Sequence, residues 1–315
     1  MLFPIETLTL ITCTSSSGLV AETLLLRYGE LALKSPPVRR EFEARLKKNV
    51  LLAFLKAGME CIVTADHGHL YVQTADAGAA IPIIRRIFGL VSVSEVTVMP
   101  TDLDAISAQV VTLARGLKDG SRFAVRSRRT GTHPFTSHDV DVKIGADILG
   151  ALPEKGLKVD LTSPETEFHV EIRGPKTYLY SGAYSAPGGF PLGVAGRVGA
   201  HVNGMRGALG AWLMMKRGCR VYPVASGEGR PLMQVLGRYD PEMPLDREAE
   251  EEKAWELLRE LVAFRNLSGL SLPLSVEDYP KALAFWGETV IFSPTVGMEE
   301  GEVKARWQEI ANLAQ

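Results

Sequence analysis

The segment Asn203-Gly204-Met205-Arg206-Gly207 joins an apolar stretch ending at His201-Val202 to an amphipathic run through Arg217, so it reads as a turn opening a helix. Such a turn presents backbone N–H groups at the positive end of the helix, where small residues let a phosphate approach. Asn203, Gly204 and Gly207 suit that role; Met205 crowds the backbone, and Arg206 brings a charge that cannot hold a metal ion. A cation in the first helical turn opposes the macrodipole by roughly 0.3–1 kcal/mol when exposed, and a bound anion relieves this. The candidate anion loop is therefore taken as His201, Val202, Asn203, Gly204, Met205, Arg206 and Gly207. The competing reading is a solvated arginine on a loop that binds nothing. No catalytic residue and no metal ligand is assigned.

A second chemistry is written in cations. Arg122, Arg126 and Arg128 recur at period two, which places them on one face of a strand with Phe123 and Val125 on the other. Arg129 continues the row. Guanidinium groups bind phosphate bidentately, so this edge suits an RNA backbone. Earlier in the chain, Val38, Phe42, Leu46, Val50 and Phe54 recur every four residues, and Arg39, Arg40, Lys47 and Lys48 fall off that helical face. With Arg27 and Lys34 they complete the candidate RNA-binding set. Solvated charged faces are the alternative for both groups. The pairs His67/His69 and His133/His138 lack acidic or cysteine companions at metal spacing.

These residues need elements to hold them. The order of apolar runs and turns predicts strands at 23–28, 60–64, 69–74 and 91–99, a helix opened by Ser35-Pro36 that carries Val38 to Phe54, and a helix near 77–88, a β-α-β-β-α-β ferredoxin-like unit. A second layer follows, with helices at 103–117 and 137–152 and strands at 122–128, 158–161, 167–173 and 177–183. Pro187-Gly188-Gly189-Phe190-Pro191 punctuates the chain before the last domain. There, strands alternate with helices at 248–266 and 300–313 and a strand near 290–294. That alternation predicts an open parallel sheet whose ligand crevice lies at the strand C-terminal ends.

The length, 315 residues with 46% hydrophobic and 23% charged side chains, fits a globular protein of two or three domains. No apolar run is long enough to span a bilayer. Residues 1–20 lack a charged start and cleavage pattern, and are expected to be a disordered extension. Three cysteines, Cys13, Cys61 and Cys219, lie far apart, which fits a reducing cytoplasm. The net charge of −2 is unevenly spread: residues 27–56 hold eight Lys/Arg against three Glu, and the last 125 residues hold 14 bases against 17 acids.

The run Gly188–Val224, GGFPLGVAGRVGAHVNGMRGALGAWLMMKRGCRVYPV, resembles the ATP-binding segment of the tRNA 4-thiouridine synthases, sulfurtransferases also linked to thiamine biosynthesis. LLLRYGELALKSPPVRREFEARLKKNV is similar to that family's N-terminal ferredoxin-like domain, and RFAVRSRRTGTHPFTSHDVDVKIGADIL with VDLTSPETEFHVEIRGPKTYLYSG to a THUMP domain, an RNA-binding module. The resemblance covers about residues 22–224 and returns in VIFSPTVGMEEGEVKARWQEIANLA. It implies an α/β chain: residues 21–100 ferredoxin-like, 101–184 THUMP, both α+β, and 185–315 an open parallel-sheet PP-loop-like domain. The family's PP-loop reads Ser-Gly-Gly-x-Asp-Ser. Aligned from the left, its Ser-Gly-Gly falls on Asn203, Gly204 and Met205; aligned from the right, its Asp falls on Arg206. No alignment restores the aspartate or a serine.

The resemblance thus implies a cytoplasmic tRNA-binding protein of tRNA modification, recognising the acceptor end, whose altered PP-loop does not cleave ATP. The alternative is an ATP-dependent tRNA sulfurtransferase that adenylates and thiolates a uridine, with ATP and Mg²⁺ in the altered loop and sulfur from a separate carrier protein. A homodimer is expected by analogy, and no membrane. Cys219 is the only cysteine of the last domain and reads as a small buried hydrophobe. A docking subunit using the acidic helix at 246–260 is a third reading.

Overall fold

The computed structural model describes residues 22–30, 34–66 and 68–314. The expected extension at 1–20, with Cys13, and His67 lie outside the described residues. Two compact units divide the described residues: one combines 26–93 with 185–314, the other 22–25 with 94–184.

The first part of the chain has the expected element order, β1 (Glu22–Tyr28), α1 (Pro36–Lys56), β2 (Ile62–Asp66), β3 (His69–Thr74), α2 (Ala77–Ile84) and β4 (Leu90–Pro100). The strand order is β2-β3-β1-β4. The four-residue apolar recurrence in α1 buries Leu46, Val50 and Phe54, while Val38, near the start of the helix, remains exposed. α2 is shorter than the expected 77–88: after Ile84 the chain turns through Gly89, which has a φ of 98°.

The second unit adds α3 (Leu103–Ala114), β5 (Arg122–Thr130), α4 (Ser137–Ala151), β6 (Lys158–Val159), β7 (Thr166–Arg173) and β8 (Lys176–Tyr180), in the strand order β4-β8-β7-β5-β6. Asp102 caps α3, and a reciprocal Thr136–Asp139 box caps α4. Those caps aim Ile106, Val110, Val140, Ile144 and Ile148 at one core with Phe123 and Phe168. β6 stops two residues short of the expected 161 because the Asp160 carboxylate accepts the N–H groups of Thr162 and Ser163, both at 2.9 Å, and turns the chain.

A short β9 (Tyr184–Ser185) leads to the last domain: β10 (Arg197–Val202), α5 (Met205–Lys216), β11 (Arg220–Ala225), α6 (Gly229–Gly237), α7 (Glu251–Arg265), β12 (Leu270–Ser271), α8 (Tyr279–Trp286), β13 (Ile291–Phe292) and α9 (Glu300–Leu313). Its four strands, ordered β11-β10-β12-β13, are all parallel, with Val198 opposite Val221 and Gly199 opposite Leu270. The mixed α/β organisation matches the expectation, with a parallel sheet in the last domain. α7 starts at Glu251, later than the expected 248, because the preceding residues run beside β11: Ala225 N–H donates to Arg247 O, and Ala249 N–H to Ala225 O. Phe88 joins Trp212 and Tyr239 at ring distances of 5.3 and 5.6 Å, so the ferredoxin-like half and the last domain share one core within the first unit.

Candidate functional site

β10 is central, and the chain leaves it to β11 on one side and returns to β12 on the other. The strand order therefore reverses at β10, and the crevice at its C-terminal end is where such sheets take ligands. Asn203 and Gly204 form the turn there, and α5 begins at Met205. Two glycines permit the packing. A Cβ on Gly207 would lie 2.4 Å from His201 O, and one on Gly229 only 1.6 Å from Val202 O. Gly204, with an extended φ of 174°, faces open space, and Met205 beside it is 41% exposed.

The polar groups of the turn are tied to the protein itself. His201 is buried, and its Nε2 lies 2.8 Å from Ser226 Oγ. Ser226 Oγ donates to Glu251 Oε2 at 2.5 Å, so the imidazole serves as donor to the hydroxyl in its Nε2–H tautomer. Asn203 Nδ2 donates to the other oxygen of Glu251 at 3.1 Å. Burial holds the His201 imidazole below its ordinary value of 6.5, against the opposing pull of Glu251. Burial would raise Glu251, but the Ser226 hydroxyl, His201 and the Asn203 amide outweigh it and hold its carboxyl low. With a neutral imidazole, the 3.6 Å approach of His201 Nε2 to Glu251 is not a full ion pair.

Arg206 turns away from the helix axis. Its Nη1 donates to Thr295 O at 2.7 Å, its Nη2 to Met298 O at 2.8 Å, and its Nε and Nη2 to Glu300 Oε1 at 3.1 and 2.5 Å. The guanidinium thus clasps the N-terminus of α5 to the segment that opens α9. Ser226 and Glu251 escaped the reading of the sequence. The signal for Ser226 is Ser226-Gly227-Glu228-Gly229, a second glycine-bearing turn between a strand and a helix. Glu251 lies 25 residues further on and carries no local mark.

The cations divide between the units. In the first, Lys34, Arg40, Lys47 and Lys48 are exposed, Arg39 is half-buried, and Arg27 is half-buried within β1. Lys34 Nζ sits 4.8 Å over the Phe190 ring. In the second, the period-two row is partly neutralised. Arg122 pairs with Asp160 at 3.2 Å and Glu165 at 3.3 Å. Arg126 pairs with Glu167 at 3.1 Å and donates to Leu161 O at 2.6 Å. Arg128 is exposed and makes no side-chain bond to a described residue, while Arg129 donates to Gly131 O at 3.3 Å. His133 stacks on Phe135, and among the described residues no three His, Cys, Asp or Glu side chains gather as a metal site. Cys219 is buried, its Sγ 3.4 Å from Ala195 O, and burial pushes the thiol up, away from the thiolate that sulfur chemistry needs.

Comparison with known proteins agrees with this architecture. The ThiI ferredoxin-like domain family matches residues 23–94, and the THUMP domain family matches 100–181. The probable tRNA sulfurtransferase of Methanothermobacter thermautotrophicus is 36% identical over 210 residues, 64% of this chain and 52% of that protein. The tRNA sulfurtransferase of Pyrobaculum aerophilum is 36% identical over 205 residues, 64% of this chain and 40% of that one. The chain thus spans about half the length of the curated relatives it matches. Among solved structures, PH1313 of Pyrococcus horikoshii superposes with a TM-score of 0.78 at 25% identity, over 92% of this chain and 99% of that one. A 4-thiouridine synthetase solved with RNA and bound ATP superposes with a TM-score of 0.74 over 94% of this chain and 86% of that one; at 17% identity the likeness is one of fold. Residues 23–94 and 100–181 thus carry a ThiI ferredoxin-like domain and a THUMP domain, and about two thirds of the chain is similar to tRNA sulfurtransferases.

Proposed function

We propose that the chain binds tRNA and that its last domain keeps the frame of a nucleotide-cleaving domain without cleaving ATP. The observation that carries the reading is the engagement of the turn: Asn203 is spent on Glu251, and Arg206 on Thr295, Met298 and Glu300. Neither side chain is left to a phosphate. Glu251, the carboxylate beside the turn, accepts from Ser226 and Asn203 and is poorly placed to give itself to Mg²⁺.

RNA contact is proposed for Lys34, Arg39, Arg40, Lys47 and Lys48 in the first unit and for Arg128 and Arg129 in the second, with Arg27 subordinate because it lies within the strand β1 and Arg122 and Arg126 because they are ion-paired. Folded RNA is read largely through backbone and shape, so exposed cations suffice without a base-reading pocket. A homodimer, in the manner expected from the family resemblance, would double this surface.

Two measurements test the reading. Binding of bulk tRNA should weaken linearly in log–log form as salt rises, and Arg128→Ala should lower the slope by about 0.9 for one lost phosphate contact. Arg122→Ala should lower it less. Calorimetry with ATP and Mg²⁺ should show no binding that depends on Arg206. ATP-dependent thiolation by the pure protein overturns the reading in favour of an active tRNA sulfurtransferase supplied by a separate sulfur carrier. The open face of Gly204 is the observation that favours this second reading.

A further inference from the structure

A cavity of about 270 Å³ lies within the first unit, walled by the C-terminal half of α1, the segment after α2, the start of β11 and the segment after α6. Arg220, the first residue of β11, places it at the N-terminal edge of the parallel sheet, the opposite end from the Asn203–Gly207 turn. Its apolar wall includes Phe88. Its polar wall carries four cations, Lys56, Arg86, Arg220 and Arg238, against one carboxylate, Asp240.

The partners of these groups differ. Arg220 is spent on the carboxylates, 3.6 Å from Asp240 and 2.6 Å from Glu242. Arg86 and Arg238 each give an N–H to the same neutral acceptor, Ala314 O, at 3.3 and 2.6 Å. Two guanidinium groups are thereby drawn to one point, and each has donors that meet no acceptor among the described residues. Burial and the neighbouring Arg238 both lower the Arg86 pKa. Lys56, exposed at the end of α1, lines the cavity and pairs with none of the described residues. Long cationic side chains in a merely wet crevice splay apart to reduce repulsion; converging ones fit a shared anion. Three donors arriving from α1, the segment after α2 and the end of α6 match the several oxygens of a phosphate better than the two of a carboxylate.

We propose that this cavity binds a phosphate-bearing anion held by Lys56, Arg86 and Arg238. The phosphate belongs either to a free phosphorylated molecule or to an RNA backbone, and the test separates the two. Pyrophosphate is titrated calorimetrically into the whole chain and into Lys56→Gln, Arg86→Gln and Arg238→Gln variants, with ionic strength held constant by chloride. Saturable binding is expected, weakened about tenfold for each cation removed and unaffected by Arg206→Ala. Lys56→Gln keeps the test decisive where an arginine variant fails to fold, since Lys56 is exposed. Pyrophosphate binding that leaves tRNA affinity unaltered assigns a free ligand. Competition with tRNA, together with a fall of about one in the salt slope of Lys56→Gln, assigns an RNA phosphate. Absence of saturable binding, binding by the three variants as tight as the parent's, or loss of binding in Arg206→Ala overturns the proposal.

Discussion

Replacing Arg206 by alanine separates a structural clasp from a ligand contact. The side chain gives two hydrogen bonds to backbone carbonyls, at Thr295 and Met298, and is 22% exposed. A bond from a charged donor contributes about 1.5–3 kcal/mol, and partial access of water argues for the lower end, about 3 kcal/mol for the pair. Thr295 O still accepts Met298 N–H at 3.2 Å, so truncation leaves no fully orphaned carbonyl there. The Glu300 pair adds little because that carboxylate is 82% exposed. Relieving the first turn of α5 of a cation returns roughly 0.3–1 kcal/mol. The net expectation is a loss of about 2–3 kcal/mol. Urea unfolding followed by tryptophan fluorescence measures it in the right place, because all four tryptophans, Trp212, Trp255, Trp286 and Trp307, lie in the last domain. Arg206→Lys should fall between, since one ammonium cannot reach both carbonyls and Glu300 in the same fork. Stability within about 0.5 kcal/mol of the parent refutes the clasp, and if ATP binding falls at the same time the arginine belongs to a ligand.

Two further outcomes follow from the same turn. Gly229→Ala places a Cβ 1.6 Å from Val202 O and should abolish the cooperative tryptophan transition, whereas Gly204→Ser meets open space and should be neutral or stabilising by a few tenths of a kcal/mol as an N-cap; comparable unfolding midpoints for the two variants would contradict this account of the packing. Because the folded His201 imidazole sits below its ordinary value of 6.5, the unfolded chain takes up the proton first, so this stability is fully present above that value and drains as the pH falls. Glu251, held low, loses stability in the same direction, while Asp240, raised by burial, has the opposite sign. The measured quantity is therefore the stability difference between the parent and His201→Gln. That gap should narrow as the pH falls through the ordinary imidazole value of 6.5 and below, and a constant gap would show that the imidazole does not titrate as described.

The sequence made the framework legible where the local signal agreed with tertiary packing. α9 has the expected bounds, 300–313, and α4 begins at the expected Ser137, where the Thr136–Asp139 box caps it. What it hid depended on partners remote in the chain. A period-two count puts Arg122 and Arg126 on a face, but their neutralisation comes from Asp160, Glu165 and Glu167, about forty residues later, which β5–β6–β7 pairing brings alongside. Similarly, the charged run before α7 reads as helix, yet the bonds to Ala225 hold it extended until Glu251.

The same distinction applies to the turn after β10, whose backbone does not depend on the chemistry of its side chains. The strand, the close glycine contacts and the helix start are fixed by sheet register and by the space at Gly207 and Gly229, none of which requires an external anion. The positive end of α5 still needs compensation for Arg206. It receives this from within, through Glu300 and the carbonyls of Thr295 and Met298, while Glu251 takes the amide of Asn203 and the hydroxyl of Ser226. An internal carboxylate is present at full effective concentration and needs no binding entropy, so an external phosphate must displace satisfied bonds to enter. On the proposed reading, retention of the fold and loss of affinity for an external phosphate are consequences of one substitution of partners, which is why Arg206→Ala is read through stability before it is read through nucleotide binding.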